Sequence, residues 1–410
     1  MFHANAQQNG SSSDRGPVTG VVKWSFEGEG LYMMHSPLVG PEGTIYVQKG
    51  TGDYMIGNDA FYALSPEGKE LWRWTRPGIR FSPGAITLDG SMLYTIGVPA
   101  GGKPDSSSTL FYVDTKTGKL IREVFLSNYY TETWMTHVAE DDKGNIYARG
   151  ADVLNVYDPK GEKIWGYRSL IDRKLNYNPR ITSGPTLSPD GKTVYLLFRA
   201  GGGLMAFDTA TGKLRWHDKT WYKTDFSPAV VGLNGDIYIT DDRTKSIFAV
   251  NPDGSRKWKV SFGDDKRLYN SFPAVGNDGT VYLIIEGKIV EKSNGYIYAL
   301  DSRDGKIKWS YEFEPSRFAT PPAIDRDGRI YAATGSGKVF CFTPDGEVLW
   351  KLLVGYVYKE GDDSGKRKER NAQIFMSGPV ISNGMIYVIK GQMSAVGKGK
   401  LVAIGEAGPN

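Results

Sequence analysis

The chain has 410 residues, with 50 Lys and Arg against 46 Asp and Glu and a net charge of +4. So mild a charge on so long a chain leaves no electrostatic footprint for nucleic acid. No apolar run approaches the roughly 18 residues that would cross a bilayer as a helix. One cysteine, Cys341, excludes an internal disulfide and any CxxC metal or haem site. It lies in the strand-like Lys338–Phe342 and reads as a small buried hydrophobe.

At the N-terminus, Ala4-Asn5-Ala6 has the small-x-small form of a signal-peptidase site. The charged and apolar regions that precede such a site are missing. The match points to an extracellular or cell-envelope protein. Residues 1–19 are rich in Gln, Asn, Ser and Gly and read as a disordered leader. Residues 20–405 read as one domain and 406–410 as a tail.

From Gly20 onward one pattern recurs: a Gly, three residues, then a Trp. It stands at Gly20/Trp24, Gly68/Trp72, Gly161/Trp165, Gly212/Trp216, Gly254/Trp258, Gly305/Trp309 and Gly346/Trp350. Gly118 opens an eighth copy in which Arg122 takes the Trp place. The steps from position 24 to 350 are 48, 50, 43, 51, 42, 51 and 41 residues. A period of roughly 40–50 marks a solenoid or propeller. The whole chain then forms a single unit.

Each repeat holds four strand-like runs of Val, Ile, Tyr and Phe, punctuated by Asp-Gly, Asn-Gly or Thr-Gly turns. The first runs include Ser36-Pro37-Leu38-Val39, Ser82-Pro83-Gly84-Ala85-Ile86, Thr136-His137-Val138-Ala139 and Ser227-Pro228-Ala229-Val230. The second runs centre on Tyr46, Tyr94, Tyr147, Tyr195, Tyr238, Tyr282, Tyr331 and Tyr387. No helical periodicity is sustained anywhere. Small residues crowd the first run, which places it nearest the axis, where strands converge. The Trp-bearing run is then outermost, with its indole against the neighbouring blade. The last repeat lacks a fourth run, and residues 21–26 are a fourth run with no blade before it. The fold expected is all-β: an eight-bladed β-propeller of four-stranded antiparallel blades, the last closed by the N-terminal strand.

Strand parity separates two faces. Turns from first to second and from third to fourth strand are short and uniform. The loops on the other face are long and irregular, at 48–60, 97–109, 125–135, 167–181, 217–226, 286–295 and 354–375. Long loops on a rigid scaffold are where binding usually resides. The candidate ligand-binding residues there are Tyr32, Arg80, Tyr129, Tyr130, Trp134, Tyr177, Arg180, Trp221, Tyr222, Tyr269 and Arg317. Arg80, Arg180 and Arg317 each precede an innermost strand. Converging guanidinium groups would favour a carboxylate or phosphate; alternatively they pair with nearby Asp or Glu. The basic residues 366–370 read as a solvated loop or as a dock for an anionic surface.

Catalytic patterns are missing. His3, His35, His137 and His217 have no metal-ligand spacing. The Asp-Gly pairs lack the remaining ligands of a calcium loop and fit turn chemistry. Asp114, Asp158, Asp208 and Asp301 follow third strands and read as turn caps. There is no GxSxG, no phosphate-cradling GxxxxGK and no dinucleotide fingerprint.

Ala299-Leu300-Asp301 through Trp309, Ala206-Phe207-Asp208 through Trp216 and Ala63-Leu64-Ser65 through Trp72 resemble the tryptophan-docking repeat of the pyrroloquinoline-quinone (PQQ) propellers. The resemblance spans about residues 20 to 405. That family includes eight-bladed alcohol and sugar dehydrogenases that bind the quinone and calcium. It also includes non-catalytic propellers such as the outer-membrane assembly lipoprotein. This chain lacks the adjacent cysteine pair of the dehydrogenases, and no catalytic residue carries over. It also lacks the N-terminal lipidated cysteine of the assembly lipoprotein. The leading reading is a monomeric, non-catalytic, exported propeller with no cofactor or metal that binds a protein or glycan through its long-loop face, whose aromatic residues bury much area at low entropy cost. The alternatives are a quinone-dependent enzyme, with PQQ and calcium in the central funnel, or a lyase of acidic polysaccharides acting there.

Overall fold

The computed structural model of the chain describes residues 10–27, 36–49, 59–101, 107–128, 138–150, 152–169, 181–198, 202–220, 229–268, 271–287, 294–315, 320–354, 374–375, 377–391 and 399–408. No helix occurs among them. The strands form eight antiparallel sheets, the blades of an eight-bladed propeller. Blade four, for example, runs Thr186–Leu187, Thr193–Phe198, Gly203–Asp208 and Leu214–Asp218 from the axis outward.

The innermost strands are only two or three residues long. Pro83, Pro273, Pro322 and Pro379 stand just before four of them and offer no N–H to a ladder. Tight turns follow: Gly43, Gly90, Gly144, Gly191, Gly235, Gly279 and Gly328 each donate to the carbonyl three residues back. Third-to-fourth turns are capped as their sequences suggest. Asp114 accepts from Thr117 N, Asp158 from Glu162 N, Asp208 from Thr211 N and Asp301 from Arg303 N, all within 2.8–2.9 Å. Hydrogen bonds from Arg215 and Thr211 hold the Asp208 carboxyl down at about 2.

Blade eight is closed by the N-terminal strand. Val21–Glu27 pairs with Lys400–Gly405, with Val22 opposite Ile404, Trp24 opposite Ala403 and Phe26 opposite Leu401. Lys400–Gly405 is thereby paired on its outer side rather than left as an open sheet edge.

The seams between blades explain the repeat. Each second-strand Tyr is buried, at most 4% exposed. In seven blades its phenol ring lies 5.8–6.2 Å from the Trp on the outer strand of the same blade, from Tyr46–Trp72 to Tyr147–Trp165. That Trp then reaches the next blade. Trp72 Nε1 donates to Thr115 O, Trp165 to Thr209 O, Trp216 to Pro252 O, Trp258 to Ser302 O and Trp309 to Pro344 O, at 2.7–2.8 Å. Its indole covers the turn glycine there: a Cβ on Gly254 would sit 2.8 Å from Trp216. The Gly of each repeat therefore serves the Trp of the repeat before it.

Two seams depart from this scheme. Blade eight has no third-to-fourth turn, because the chain ends meet there. Its part is played by residues 17–20: Trp350 Nε1 donates to Pro17 O at 3.2 Å, and the indole lies against Gly20. In blade two the Arg122 guanidinium donates to Lys160 O in the Trp manner. The missing indole volume is filled from the neighbouring strand. Tyr112 stands opposite Arg122 where other blades place Ala63, Ala206, Ala249, Ala299 or Ala403 opposite Trp. Its ring packs edge-on against Tyr94 at 4.9 Å and carries Arg122 at 5.8 Å.

Residues 10–19 differ from the disordered segment expected of them. Gly16 N donates to Asp325 Oδ2, Tyr331 OH to Pro17 O, and Thr19 Oγ1 to Glu406. The segment is polar and buries little apolar surface, which is why its composition reads as disorder. Turn groups of blades seven and eight order it. Cys341 is fully buried, and burial pushes its thiol up to about 12.

Candidate functional site

The long-loop end of the ring carries short strands outside the four-stranded pattern. Ile79–Phe81, Lys266–Arg267 and Ile374–Phe375 pair with the second strands of blades two, six and eight. In blade four, Ile181 makes a single bridge to Phe198 at the same place. Among the described residues these approach segments occur in alternate blades. They coincide with the longest repeats. The steps across blades two, four and six are 50, 51 and 51 residues, against 48, 43, 42 and 41 for blades one, three, five and seven.

The approaches of blades two, four and six are held by the blade before each. Gln48 Nε2 donates to Phe81 O at 2.6 Å, and Asp59 Oδ2 accepts from Phe81 N at 2.8 Å. The buried Arg149 guanidinium donates to Ile181 O. Thr240 Oγ1 donates to Ser271 O at 2.9 Å. Gln48, Arg149 and Thr240 all stand two residues past the second-strand Tyr of blades one, three and five. Blades one, three and five thus fix backbone that blades two, four and six present at this end of the ring.

Of the residues expected to bind ligand, Arg80 is described. It is half-buried in Ile79–Phe81, opposite Val98, four residues past Tyr94. Tyr32, Tyr129, Tyr130, Trp134, Tyr177, Arg180, Trp221, Tyr222, Tyr269 and Arg317 lie outside the described residues, as do His3, His35, His137 and the basic run 366–370. The strand pairing adds Arg267, which sequence reading missed. It stands opposite Glu286, four residues past Tyr282, at the same register as Arg80. Both arginines already engage neighbouring groups. The signal that could have found Arg267 is the long-short alternation of the repeat.

Lys390 belongs to the same end of blade eight, opposite Phe375. Its Nζ donates to Val354 O at 2.8 Å, and burial lowers its pKa. Lys266, beside Arg267, lies 4.2 Å over the Tyr296 ring and pairs with Asp265 at 2.5 Å. Cationic side chains therefore stand at this end in blades two, six and eight. Such an end can hold a carboxylate, a phosphate or a polar polymer carrying them. His217, by contrast, is on an outer strand, with Nε2 2.5 Å from Gly202 O.

Among the described residues no three His, Cys, Asp or Glu side chains form a set able to hold a metal ion. Cys341, the one cysteine of the chain, sits in the third strand of blade seven. The described residues therefore do not supply the cysteine pair or the acidic set that a calcium-held quinone would use. Among them, too, no helix is long and apolar enough to cross a membrane.

Comparison with known proteins follows this geometry. A polyvinylalcohol dehydrogenase of a Pseudomonas species is 22% identical over 376 residues, covering 79% of this chain and 55% of its own length. The chain thus spans about half the length of that relative. Among solved structures, the quinohemoprotein alcohol dehydrogenase from Comamonas testosteroni superposes with a TM-score of 0.68 at 13% identity, over 100% of this chain and 81% of its own. BamB from Moraxella catarrhalis superposes with a TM-score of 0.62 at 14% identity, over 94% of this chain and 99% of its own. At such identities the superpositions speak for the fold alone. A family model matches residues 17–225, 149–293 and 293–407, and by that match the chain belongs to the family described as outer membrane protein assembly factor BamB.

Proposed function

We propose that this chain is a non-catalytic, monomeric propeller of the cell envelope that binds a protein or glycan partner through its long-loop face. The observation that carries the reading is the asymmetry between the two ends. Short turns close one end with their own side chains. At the other end, side chains of blades one, three and five fix segments of blades two, four and six. That arrangement holds a binding surface rigid, which lowers the ordering cost of association. The family's description as an outer-membrane assembly factor favours the envelope and a protein partner.

The test is a peptide and glycan array screened with the full chain, with Arg80→Ala and Arg267→Ala together, and with Lys192→Ala on the short-turn face. Ligands retained by the wild type and by Lys192→Ala but lost by the double variant support the reading. Equal retention by all three proteins refutes it. Light scattering checks the monomer.

A second reading is a quinone-dependent dehydrogenase, favoured by the match to a polyvinylalcohol dehydrogenase across 79% of the chain. Bound quinone would supply a two-electron acceptor for an alcohol. Dye reduction together with a rise in Tm on adding quinone and calcium would favour this reading over the first.

A further inference from the structure

Ile324 ends the innermost strand of blade seven, Ala323–Ile324. Its neighbours bond outward: Ala323 pairs with Tyr331, and Asp325 N donates to Arg329 O. Backbone groups alternate along a strand, so the N–H and C=O of Ile324 point toward the ring axis. They are not left to water. Ile324 N donates to Gly10 O at 2.9 Å, and Ser12 N donates to Ile324 O at 2.8 Å, with Ser11 bridged to Ile324 in parallel.

Neighbouring blades join in. Ser12 Oγ donates to Ile381 O, the matching position in blade eight, at 3.3 Å. Ser11 Oγ donates to Asn277 Oδ1, in the first turn of blade six, at 3.3 Å. Residues 14 and 15 continue outward over the short turns: Asn383 N donates to Asp14 Oδ2, Arg326 N donates to Asp14 O, and Arg15 pairs with Asp327 at 3.1 Å. Gly10 itself is buried.

We propose that residues 10–12 are a plug, bridged in parallel to the inner edge of blade seven and held by side-chain hydrogen bonds to blades six and eight. It stops the short-turn end of the ring's axis. The site it fills is a strand-acceptor edge. The ligand class of that edge is an extended peptide with small side chains, because Ser11 and Ser12 fit where three blades converge. Ring closure does not depend on the plug, since residues 17–27 dock Trp350 and complete blade eight. This inference goes beyond the proposed binding function, and its test involves no ligand of the long-loop face.

The test uses the full chain and Ser12→Pro, which removes the Ser12 N–H. Amide deuterium exchange at Ile324 should rise roughly ten-fold in the variant, the scale of losing one hydrogen-bonded anchor. Exchange in Val21–Glu27 and Lys338–Phe342 should stay as in the wild type. In a second protein, Ser11→Cys with Asn277→Cys, a short bifunctional thiol reagent should join the two positions in the folded state. Buried Cys341 is its internal control. Equal Ile324 exchange in wild type and Ser12→Pro, or a cross-link yield no higher than in the unfolded protein, overturns the plug.

Discussion

Glu140 gives the sharpest test of how the blades are joined. It ends the innermost strand Val138–Glu140 of blade three, opposite Ile146. At the matching positions the other blades place Val39, Ile86, Leu187, Val231, Val275, Ile324 and Ile381. Its side chain crosses to blade two, where Oε2 accepts from Leu88 N at 2.8 Å, and the residue is only 6% exposed. Burial raises its pKa from 4.5 to about 7; the Leu88 bond opposes this and the Asp89 and Asp141 charges reinforce it. Between those two values the folded chain keeps a proton that the unfolded chain has lost. The seam's stability is therefore full below about pH 4.5, falls as the pH rises through that window, and levels off above pH 7. The raised pKa sets a ceiling of about 3 kcal/mol. Residual contact with water brings the working figure to about 2 kcal/mol. Glu140→Gln keeps an acceptor for Leu88 N and removes the charge. At pH 8 the variant should be more stable than the wild type by about 2 kcal/mol, or roughly 2–3 °C in Tm for a chain of this length. At pH 4 the two should coincide. Urea unfolding at both pH values measures this. A Glu140→Gln advantage that is the same at pH 4 and pH 8, or absent at both, refutes the reasoning.

Other seams make further predictions. Arg122→Trp restores the repeat residue yet should cost about 1–3 kcal/mol, because Tyr112 already fills the indole space. Adding Tyr112→Ala should recover the loss, and a double-mutant cycle by urea unfolding reads the coupling. Gly254→Ala should cost more than about 2 kcal/mol, since φ is +89 and the new Cβ would meet Trp216 at 2.8 Å. Gly384→Ala, at φ +73 with open space around it, should cost only about 1 kcal/mol in the same assay. Deleting residues 1–26 strips the outer strand from blade eight and bares Lys400–Gly405 as a sheet edge. The truncated chain should aggregate on concentration, which light scattering follows.

What was legible in the sequence was what a repeat writes locally. A Pro-Asp-Gly or Thr-x-Thr-Gly turn carries its own hydrogen bonds, so it can be read without its neighbours. The closing strand 21–26 was legible for a different reason: eight first runs and seven internal fourth runs left one vacancy and one orphan. What stayed hidden depends on partners far apart in the chain. What fills the indole space at Arg122 cannot be read from the repeat, because Tyr112 stands on another strand. Residues 10–19 read as disorder because composition registers apolar content, whereas backbone and polar groups of blades seven and eight order them. The candidate site was the least legible part. Its aromatic candidates fall on loops beyond the described residues. Arg267 becomes equivalent to Arg80 only through the pairing of Lys266–Arg267 with the second strand of blade six. Yet the clue was present in the alternation of long and short repeats. Among the described residues, blades two, four, six and eight carry an approach strand or bridge, and the steps across blades two, four and six are the longest of the series. Among the described residues, blades one and two, three and four, and five and six are thus coupled, one supplying the segment and the other fixing it. Gln48, Arg149 and Thr240, two residues past a buried Tyr in successive odd blades, are the residues by which that pairing is made.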